Sequence, residues 1–215
     1  MNKLRILFIT TGTVLIIAAL FLCLYNTEEN KRAAENAENT LSELIEAIPE
    51  PTQKPTDTTI ITTAAPDLYA EYETTTTTVP PLPTIELNGR LYCGYVTIAA
   101  LHLELPVANE LDYNVLKSSP CRYRGTADGG DLIIAAHNYN SHFGKLKDLS
   151  EGDEIMFTDC EGNQHLYSVI SIESVGGTDI DSMLAGSTEN WQLTLFTCDL
   201  SGRSRVTIRA KHIEK

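Results

Sequence analysis

The sequence is poor in positive charge, with 16 Lys and Arg against 29 Asp and Glu in 215 residues and a formal net charge of −13. Proteins that bind nucleic acids need a basic surface to neutralise phosphates, so this balance argues against that class. Cysteine is also scarce, since the five residues are widely spaced and form no Cys-x-x-Cys pair. That pattern excludes a disulfide-stapled miniprotein and argues against a zinc ribbon or a thioredoxin-like site.

Charge is wholly absent from the apolar run Ile6–Tyr25, which follows Lys3 and Arg5. A helix of this length spans roughly 30 Å, the thickness of the hydrocarbon core of a bilayer. The basic residues before the run and the glutamates after it predict a single pass with a cytoplasmic N-terminus. A cleaved signal peptide is the alternative, but it usually has a shorter apolar core and a small-residue cleavage site, which this run lacks. We therefore predict an uncleaved membrane anchor.

The region after the anchor is acidic and then rich in Thr and Pro. Residues 28–48 carry Ala and Leu at three- and four-residue spacing, which predicts a helix. Two heptads are too few for a convincing coiled coil, so we favour a solvated juxtamembrane helix. The segment Pro49–Pro83 has the composition of an unfolded linker or stalk. The chain therefore divides into a cytoplasmic start and anchor (1–25), a helix and stalk (26–84) and one folded domain (85–215).

The folded domain consists mostly of short β-like runs separated by turns rich in Gly, Asn and Asp. The predicted strands are Gly94–Ile98, His102–Val107, Asp131–Ala136, Glu154–Thr158, His165–Ile172, Gln192–Thr197 and Arg205–Ala210. Glu161-Gly162-Asn163 predicts a hairpin turn, and the helical pieces near Tyr113–Ser118 and Asp179–Ala185 are short. Seven or eight short strands in 131 residues predict a β-sandwich or a closed β-barrel.

Three segments of this domain place reactive side chains at the ends of strands. Ala135-Ala136-His137-Asn138 ends one apolar strand, Thr194-Leu195-Phe196-Thr197-Cys198 ends another, and Arg205 begins a third. Nucleophilic catalysis uses such groups, because a thiolate attacks, an imidazole moves protons and a cation holds the developing oxyanion. Taken alone, each segment is more often structural, since a Cys in an apolar strand usually serves as a small buried hydrophobe.

Together, and in this order, the three segments resemble the sortase family. Thr194–Cys198 matches the TLxTC pattern around the sortase nucleophile, and Ile134–Asn138 resembles the strand that ends in Gly-His. Ala136 stands where the family usually has Gly, a change that costs little unless the position needs a positive φ. Arg205 matches the Arg that heads the strand after the nucleophile. Further matches are Gly94–Ile98, Leu103–Val107, His142–Leu146 and Gly152–Ile155.

The resemblance covers nearly all of 85–215, and it implies a mainly β fold, a closed and roughly eight-stranded barrel with short helices. It also implies a cysteine transpeptidase held at the cell membrane with its catalytic domain outside the cell. Cys198 would attack a carbonyl in a C-terminal sorting motif and form a thioester. His137 would protonate the leaving amine and then deprotonate the incoming one, while Arg205 would hydrogen-bond the oxyanion or the substrate backbone.

Partners and binding residues follow from the same resemblance. The resemblance implies surface proteins with a sorting signal as the acyl donors. It implies an amine of a peptidoglycan precursor or of a pilin as the acceptor, and the sequence does not distinguish between these two. Thr197 and Asn138 are the substrate-binding residues implied, and no cofactor or metal is needed. The stretch 174–190 is the expected specificity loop, because it directly precedes the nucleophile strand.

Several alternatives remain at the level of sequence. Arg203 lies two residues before Arg205, which we favour because it directly heads the alternating strand. His142 lies close to His137, which we favour because it ends a strand. A non-catalytic barrel that serves as a surface binding module is the functional alternative.

Cysteine pairing and calcium are also open. Cys93 and Cys121 flank the first strands and are either disulfide partners or free buried thiols. The state of Cys160, a thiol or half of a disulfide, is open as well. Some sortases bind calcium, but the acidic loop residues show no regular ligand spacing, so we favour solvated loops for them. These residues are Glu104, Glu110, Asp112, Asp179 and Asp181.

Overall fold

The computed structural model describes residues 3–49, 82–184 and 190–213. Most of the predicted stalk and part of the predicted specificity loop lie outside these ranges. The helices are α1 (Lys3–Ala47) and α2 (Ile180–Leu184), with 3₁₀ helices at Ala99–Leu101, Val115–Lys117 and Phe143–Asp148. The strands are β1 (Ile85–Leu87), β2 (Arg90–Ile98), β3 (Leu103–Ala108), β4 (Cys121–Arg124), β5 (Leu132–Ala136), β6 (Glu154–Asp159), β7 (Gln164–Gly176), β8 (Leu193–Cys198) and β9 (Ser204–His212).

Eight of the strands close into a barrel, as the sequence predicts. They follow the order β2-β3-β4-β5-β8-β9-β7-β6, and β6 pairs back onto β2. Closure requires Gly94, because a Cβ there would collide with the carbonyl oxygen of Thr158 on β6. Strand β1 extends the sheet through a two-residue turn at Asn88 and Gly89, whose φ angles of 53° and 74° suit a tight hairpin.

All seven predicted strands form, and two further strands were missed. Strand β1 has only three residues, and β4 carries two arginines in four, so neither shows a clear apolar pattern. The predicted turn at Glu161-Gly162-Asn163 joins β6 to β7, and β7 runs on to Gly176. The two predicted helical pieces appear as the 3₁₀ helix Val115–Lys117 and as α2.

The barrel interior is filled by aliphatic side chains from most of the strands. Val96, Ile134, Leu195 and Ile208 belong to four different strands, and each is fully buried. Burying such a side chain stabilises the fold by roughly 1.5–3 kcal/mol before the entropic cost is subtracted. All five residues of β5 are buried, so the strand before His137 is held on both faces.

Helix α1 combines an exposed apolar half with a half that packs on the barrel. Its N-terminal part is long and apolar enough to cross a membrane. Further along, Ala33, Ala37, Leu41 and Leu44 are buried, and the helix contacts β1, β2 and β3. The predicted helix therefore forms, but the favoured solvated state is wrong, because the apolar stripe at three- and four-residue spacing covers the barrel.

The cysteine question resolves in favour of free thiols. All five cysteines are unpaired, and Cys93, Cys121 and Cys160 are buried. Burial raises the pKa of Cys93 to about 12 and that of Cys160 to about 11, which keeps both thiols protonated at neutral pH. These buried thiols act as small apolar side chains of the barrel.

Candidate active site

Strand pairing brings the three predicted residues to one end of the barrel. Strands β5 and β8 run parallel with Ala136 opposite Thr197, so His137 and Cys198 follow at the same edge. Strands β8 and β9 run antiparallel with Cys198 directly opposite Arg205. Because neighbouring strands lie roughly 4.8 Å apart, the three side chains occupy adjacent positions on a rigid edge.

His137, Cys198 and Arg205 all line one cavity of about 260 Å³. Most of its other lining is apolar, and it comes from the segment before β4, from strands β4, β5 and β8, and from α2. These apolar residues are Leu111, Tyr113, Leu116, Tyr123, Ala135, Ala136, Ile180, Met183 and Phe196. The rings of Tyr123 and Phe196 meet edge to face with 5.4 Å between their centroids. The cavity therefore joins a reactive end to an apolar surface.

His137 is half-buried between this cavity and the loop that follows it. Burial lowers its pKa below the usual value, and the positive charge of Lys117 lowers it further. The imidazole is therefore mostly neutral at neutral pH, and a neutral imidazole can accept a proton. Its ring lies against Tyr139, with 5.1 Å between the ring centroids.

Arg205 and Arg203 have different surroundings. The Nη1 of Arg205 donates to the carbonyl oxygens of Gly202 at 3.2 Å and Ser204 at 3.1 Å, and the half-buried side chain reaches the cavity. Arg203 is exposed, and its carbonyl oxygen accepts a hydrogen bond from Gly177. This placement favours Arg205 as the cation of the site.

Thr197 and Asn138 sit beside the two central residues, but within the described residues neither lines the cavity. Thr197 is buried, and its hydroxyl donates to the carbonyl oxygen of Ala136 at 2.9 Å. Asn138 is half-buried directly after His137. The role of Thr197 and Asn138 in substrate binding stays a prediction. The hydrogen bond of Thr197 joins β8 to β5. Ala136 has no positive φ, so it fits where the family usually has Gly.

His142 lies away from the cavity, under helix α1. The side chain is fully buried, and among the residues that the structure describes neither ring nitrogen has a hydrogen-bond partner. Burial and, to a smaller extent, nearby His137 lower its pKa to about 4. A buried neutral ring of this kind contacts its neighbours by packing, so the geometry favours His137 over His142 as the residue that faces substrate.

Sequence reasoning missed the residue that supports α2. Arg209 is 2% exposed, and its guanidinium donates to the carbonyl oxygens of Ser182 at 2.6 Å and Met183 at 3.4 Å. It also donates to the hydroxyl of Thr194 at 2.9 Å and lies 4.8 Å from the centre of the Trp191 ring. The arginine thereby holds α2 against the barrel. Arg209 lies in a strand that alternates polar and apolar residues, and alternation alone places it on the outer, solvent-facing side, so the sequence offered no signal for its burial.

Part of the predicted specificity loop reaches the cavity. Asp179, Ile180 and Met183 line it, while residues 185–189 lie outside the described part of the chain. Among the residues that the structure describes, no three acidic, His or Cys side chains are grouped to hold a metal ion. The site as described is built from a thiol, an imidazole, a guanidinium and an apolar surface.

Known proteins share this arrangement of strands. The Sortase domain family model matches residues 96–213. Sortase A from Corynebacterium diphtheriae superposes with a TM-score of 0.53 at 24% identity, over 59% of this chain and 62% of that one. Sortase C from Clostridium perfringens SM101 has a TM-score of 0.51 at 23% identity, over 58% of this chain and 71% of that one.

A third structure, sortase C from Streptococcus pneumoniae, has a TM-score of 0.51 at 23% identity, over 58% of this chain and 67% of that one. That structure was used to explain the pilin substrate specificity of the pneumococcal enzyme. No curated protein sequence matches the chain. At these identities the three structures show the fold. Because the family model spans more than half of the 215 residues and the strands close into the predicted eight-stranded barrel, the chain belongs to the sortase family.

Proposed function

We propose that this chain is a membrane-anchored cysteine transpeptidase that uses Cys198 as its nucleophile. The observation that carries the proposal is the convergence of Cys198, His137 and Arg205 on one cavity from three neighbouring strands. Nucleophilic catalysis by cysteine needs a proton carrier and an oxyanion donor within reach of the thiol. The strand edge supplies all three groups on rigid elements.

The first half of the reaction forms a thioester. The neutral imidazole of His137 takes the proton of the Cys198 thiol, and the sulfur attacks the carbonyl carbon of the scissile peptide bond. The carbon–nitrogen bond then breaks, and His137 passes its proton to the leaving amine. The acyl group remains on the sulfur, and the imidazole is neutral again.

The second half transfers the acyl group to an amine. The incoming amine attacks the thioester carbonyl and His137 accepts its proton. The carbon–sulfur bond then breaks, and the leaving thiolate takes that proton from His137 to restore the thiol. Arg205 stabilises the negative oxygen in both tetrahedral intermediates, because its guanidinium carries several donors in one plane and a permanent charge. Nη1 is bound to two backbone carbonyls, which holds the side chain in place for this role.

The apolar lining supports a peptide substrate. An extended sorting signal with apolar side chains would bury them against Leu116, Tyr123, Phe196 and Met183 while its carbonyl reaches Cys198. We propose surface proteins as the donors of this signal. The acceptor is the amine of a peptidoglycan precursor or of a pilin, and the cavity is compatible with both.

We also propose a single-pass topology, with residues 1–25 as cytoplasmic start and anchor, 26–84 as helix and stalk, and 85–215 as a catalytic domain outside the cell. The exposed apolar half of α1 supports this arrangement. It places the barrel close to the membrane, where both the acceptor and newly exported proteins pass.

Mass spectrometry of the full chain in detergent tests the reaction. The protein is incubated with a library of sorting-signal peptides, with and without an amine, beside Cys198→Ala and the matched control Cys23→Ala. We expect a peptide adduct on Cys198 that the amine removes, in the wild type and in the Cys23 variant only. A wild type that forms no adduct with any peptide, and whose Cys198 does not react with iodoacetamide, would reject the enzyme in favour of a binding module.

A further inference from the structure

Helix α1 is bonded directly to the loop that follows His137. The side-chain Oδ1 of Asn30 accepts a hydrogen bond from the backbone N–H of Asn140 at 3.1 Å. The carbonyl oxygen of Asn30 accepts a second one from the hydroxyl of Ser141 at 3.2 Å. These bonds join positions about 110 residues apart in the chain, so the loop is held by a helix that continues into the membrane anchor.

The same loop reaches from the helix to the imidazole by ring contacts. His142 is fully buried close to the backbone of Ala33, which is itself 2% exposed. The ring of Tyr139 lies 5.6 Å from that of His142 and 5.1 Å from that of His137, measured between centroids. A continuous row of packed side chains therefore runs from α1 to His137.

The loop is compact, so its parts move together. The backbone N–H of Phe143 donates to the carbonyl oxygen of His137 at 3.2 Å, and those of His142 and Gly144 donate to Tyr139 at 2.9 Å. Gly144 lies so close that a Cβ there would come within 2.5 Å of the carbonyl oxygen of Asn138. Because the loop is tightly packed and internally hydrogen-bonded, a displacement where it contacts α1 would also shift His137, which directly precedes the loop.

We propose that α1 is a positioning element of the active site, in which Asn30 and His142 hold the loop and thereby aim the His137 imidazole. The inference rests on the proposed role of His137 in proton transfer. Neither Asn30 nor His142 lines the cavity, so both act through His137. The two bonds of Asn30 go to the loop after His137 and to no residue that lines the cavity. Losing them would therefore move the proton carrier, and small misplacements of a catalytic group are costly.

Substitutions at Asn30 separate positioning from general packing. Asn30→Leu keeps the size of the side chain but removes the acceptor for Asn140, whereas Asn30→Asp keeps an acceptor oxygen at the same place. Asn39→Leu is the matched control, because Asn39 is exposed on the same helix. All variants are prepared as the full chain in detergent, and kcat and KM are measured with a peptide that acylates the wild type.

We expect Asn30→Leu to lower kcat about tenfold with KM nearly unchanged, and Asn30→Asp to restore most of the loss. Hydrogen exchange at the Phe143 and Gly144 amides, which reports docking without substrate, should accelerate in Asn30→Leu only. Faster exchange with an unchanged kcat would overturn the proposal, as would a rise in KM alone.

The two proposals fail in different ways. If no peptide acylates the wild type, the proposed transpeptidase activity is wrong. The NMR resonances of the His137 ring test the positioning role independently of that activity. We expect those resonances and the ring's titration midpoint to change in Asn30→Leu and to return in Asn30→Asp. Identical His137 resonances in the wild type and Asn30→Leu would reject a link between the anchor helix and the imidazole.

Discussion

The hydroxyl of Thr197 donates a hydrogen bond to the carbonyl oxygen of Ala136 at 2.9 Å. This bond ties the strand that ends in Cys198 to the strand that ends before His137. It adds a side-chain link to the parallel pairing of β5 and β8 directly before Cys198 and His137, whose spacing matters if the two residues act together as proposed.

Replacing Thr197 with Val should weaken both the fold and the reaction. Valine has the same shape but leaves the Ala136 carbonyl without its donor, so we expect a loss of about 1 kcal/mol in the free energy of unfolding and a lower kcat. Thr158→Val is a close control, because Thr158 is also buried and its hydroxyl has no hydrogen-bond partner within the described part of the chain. Denaturant unfolding of both variants checks this, and equal stabilities would contradict the assigned role of the Thr197 hydroxyl.

Arg205 and Arg203 should differ sharply when each is changed to Ala. Loss of an oxyanion donor costs roughly 10²-fold in kcat, and we expect that loss for Arg205→Ala but little change for the exposed Arg203. Arg205→Lys should rescue poorly, since an ammonium lacks the planar set of donors. Steady-state kinetics with an active peptide measures all three, and a larger effect at Arg203 would reverse the assignment.

Arg209→Met should loosen α2 and weaken peptide binding. The substitution removes the donor that Arg209 supplies to the carbonyls of Ser182 and Met183, for which we expect a loss of about 2 kcal/mol in stability. Because Met183 and Ile180 line the cavity, KM should rise several-fold with a smaller change in kcat. The exposed Arg124→Met serves as control. A loss of stability with an unchanged KM would separate α2 from substrate binding.

Stability should fall in mild acid because of His142. Its pKa of about 4 in the folded state lies below the unfolded value of 6.5, so between these pH values the unfolded chain binds more protons. The contribution of neutral His142 to the free energy of unfolding is therefore complete above pH 6.5. It is lost as the pH falls towards 4, which lowers the free energy of unfolding by up to about 3 kcal/mol. The groups near the ring are His137 and Tyr139 in the same loop, and Glu29 of α1 lies near Tyr139.

Thermal unfolding of the full chain in detergent between pH 4.5 and 7.5 measures this dependence. His142→Phe should flatten the curve, because phenylalanine fills the site without a titrating group. His102→Asn is the control at an exposed position, because asparagine suits the φ of 51° there, and it should leave the pH dependence as in the wild type. A His142 variant that keeps the full acid sensitivity would assign the effect to another group.

The elements that carry the chemistry could be predicted from local pattern. The strands that end at Ala136 and Cys198 are continuous apolar runs, and Arg205 heads an alternating one, so their limits were close to correct. Strands β1 and β4 were missed because they are short and have no clear pattern of apolar residues. They form by pairing with the neighbouring strands β2 and β5. The docked half of α1 was misjudged for a related reason, since a stripe containing alanines does not reveal what it packs against.

Local sequence patterns were enough to predict the long apolar helix, seven of the nine strands and the three candidate site residues, because each depends on residues close together in the chain. The folded structure was needed to show which Arg and which His face the cavity, how Arg209 holds α2, and that α1 lies on the loop after His137. These relationships join residues from 15 to more than 100 positions apart. They arise only when the barrel closes, because closure determines which side chains share a buried space.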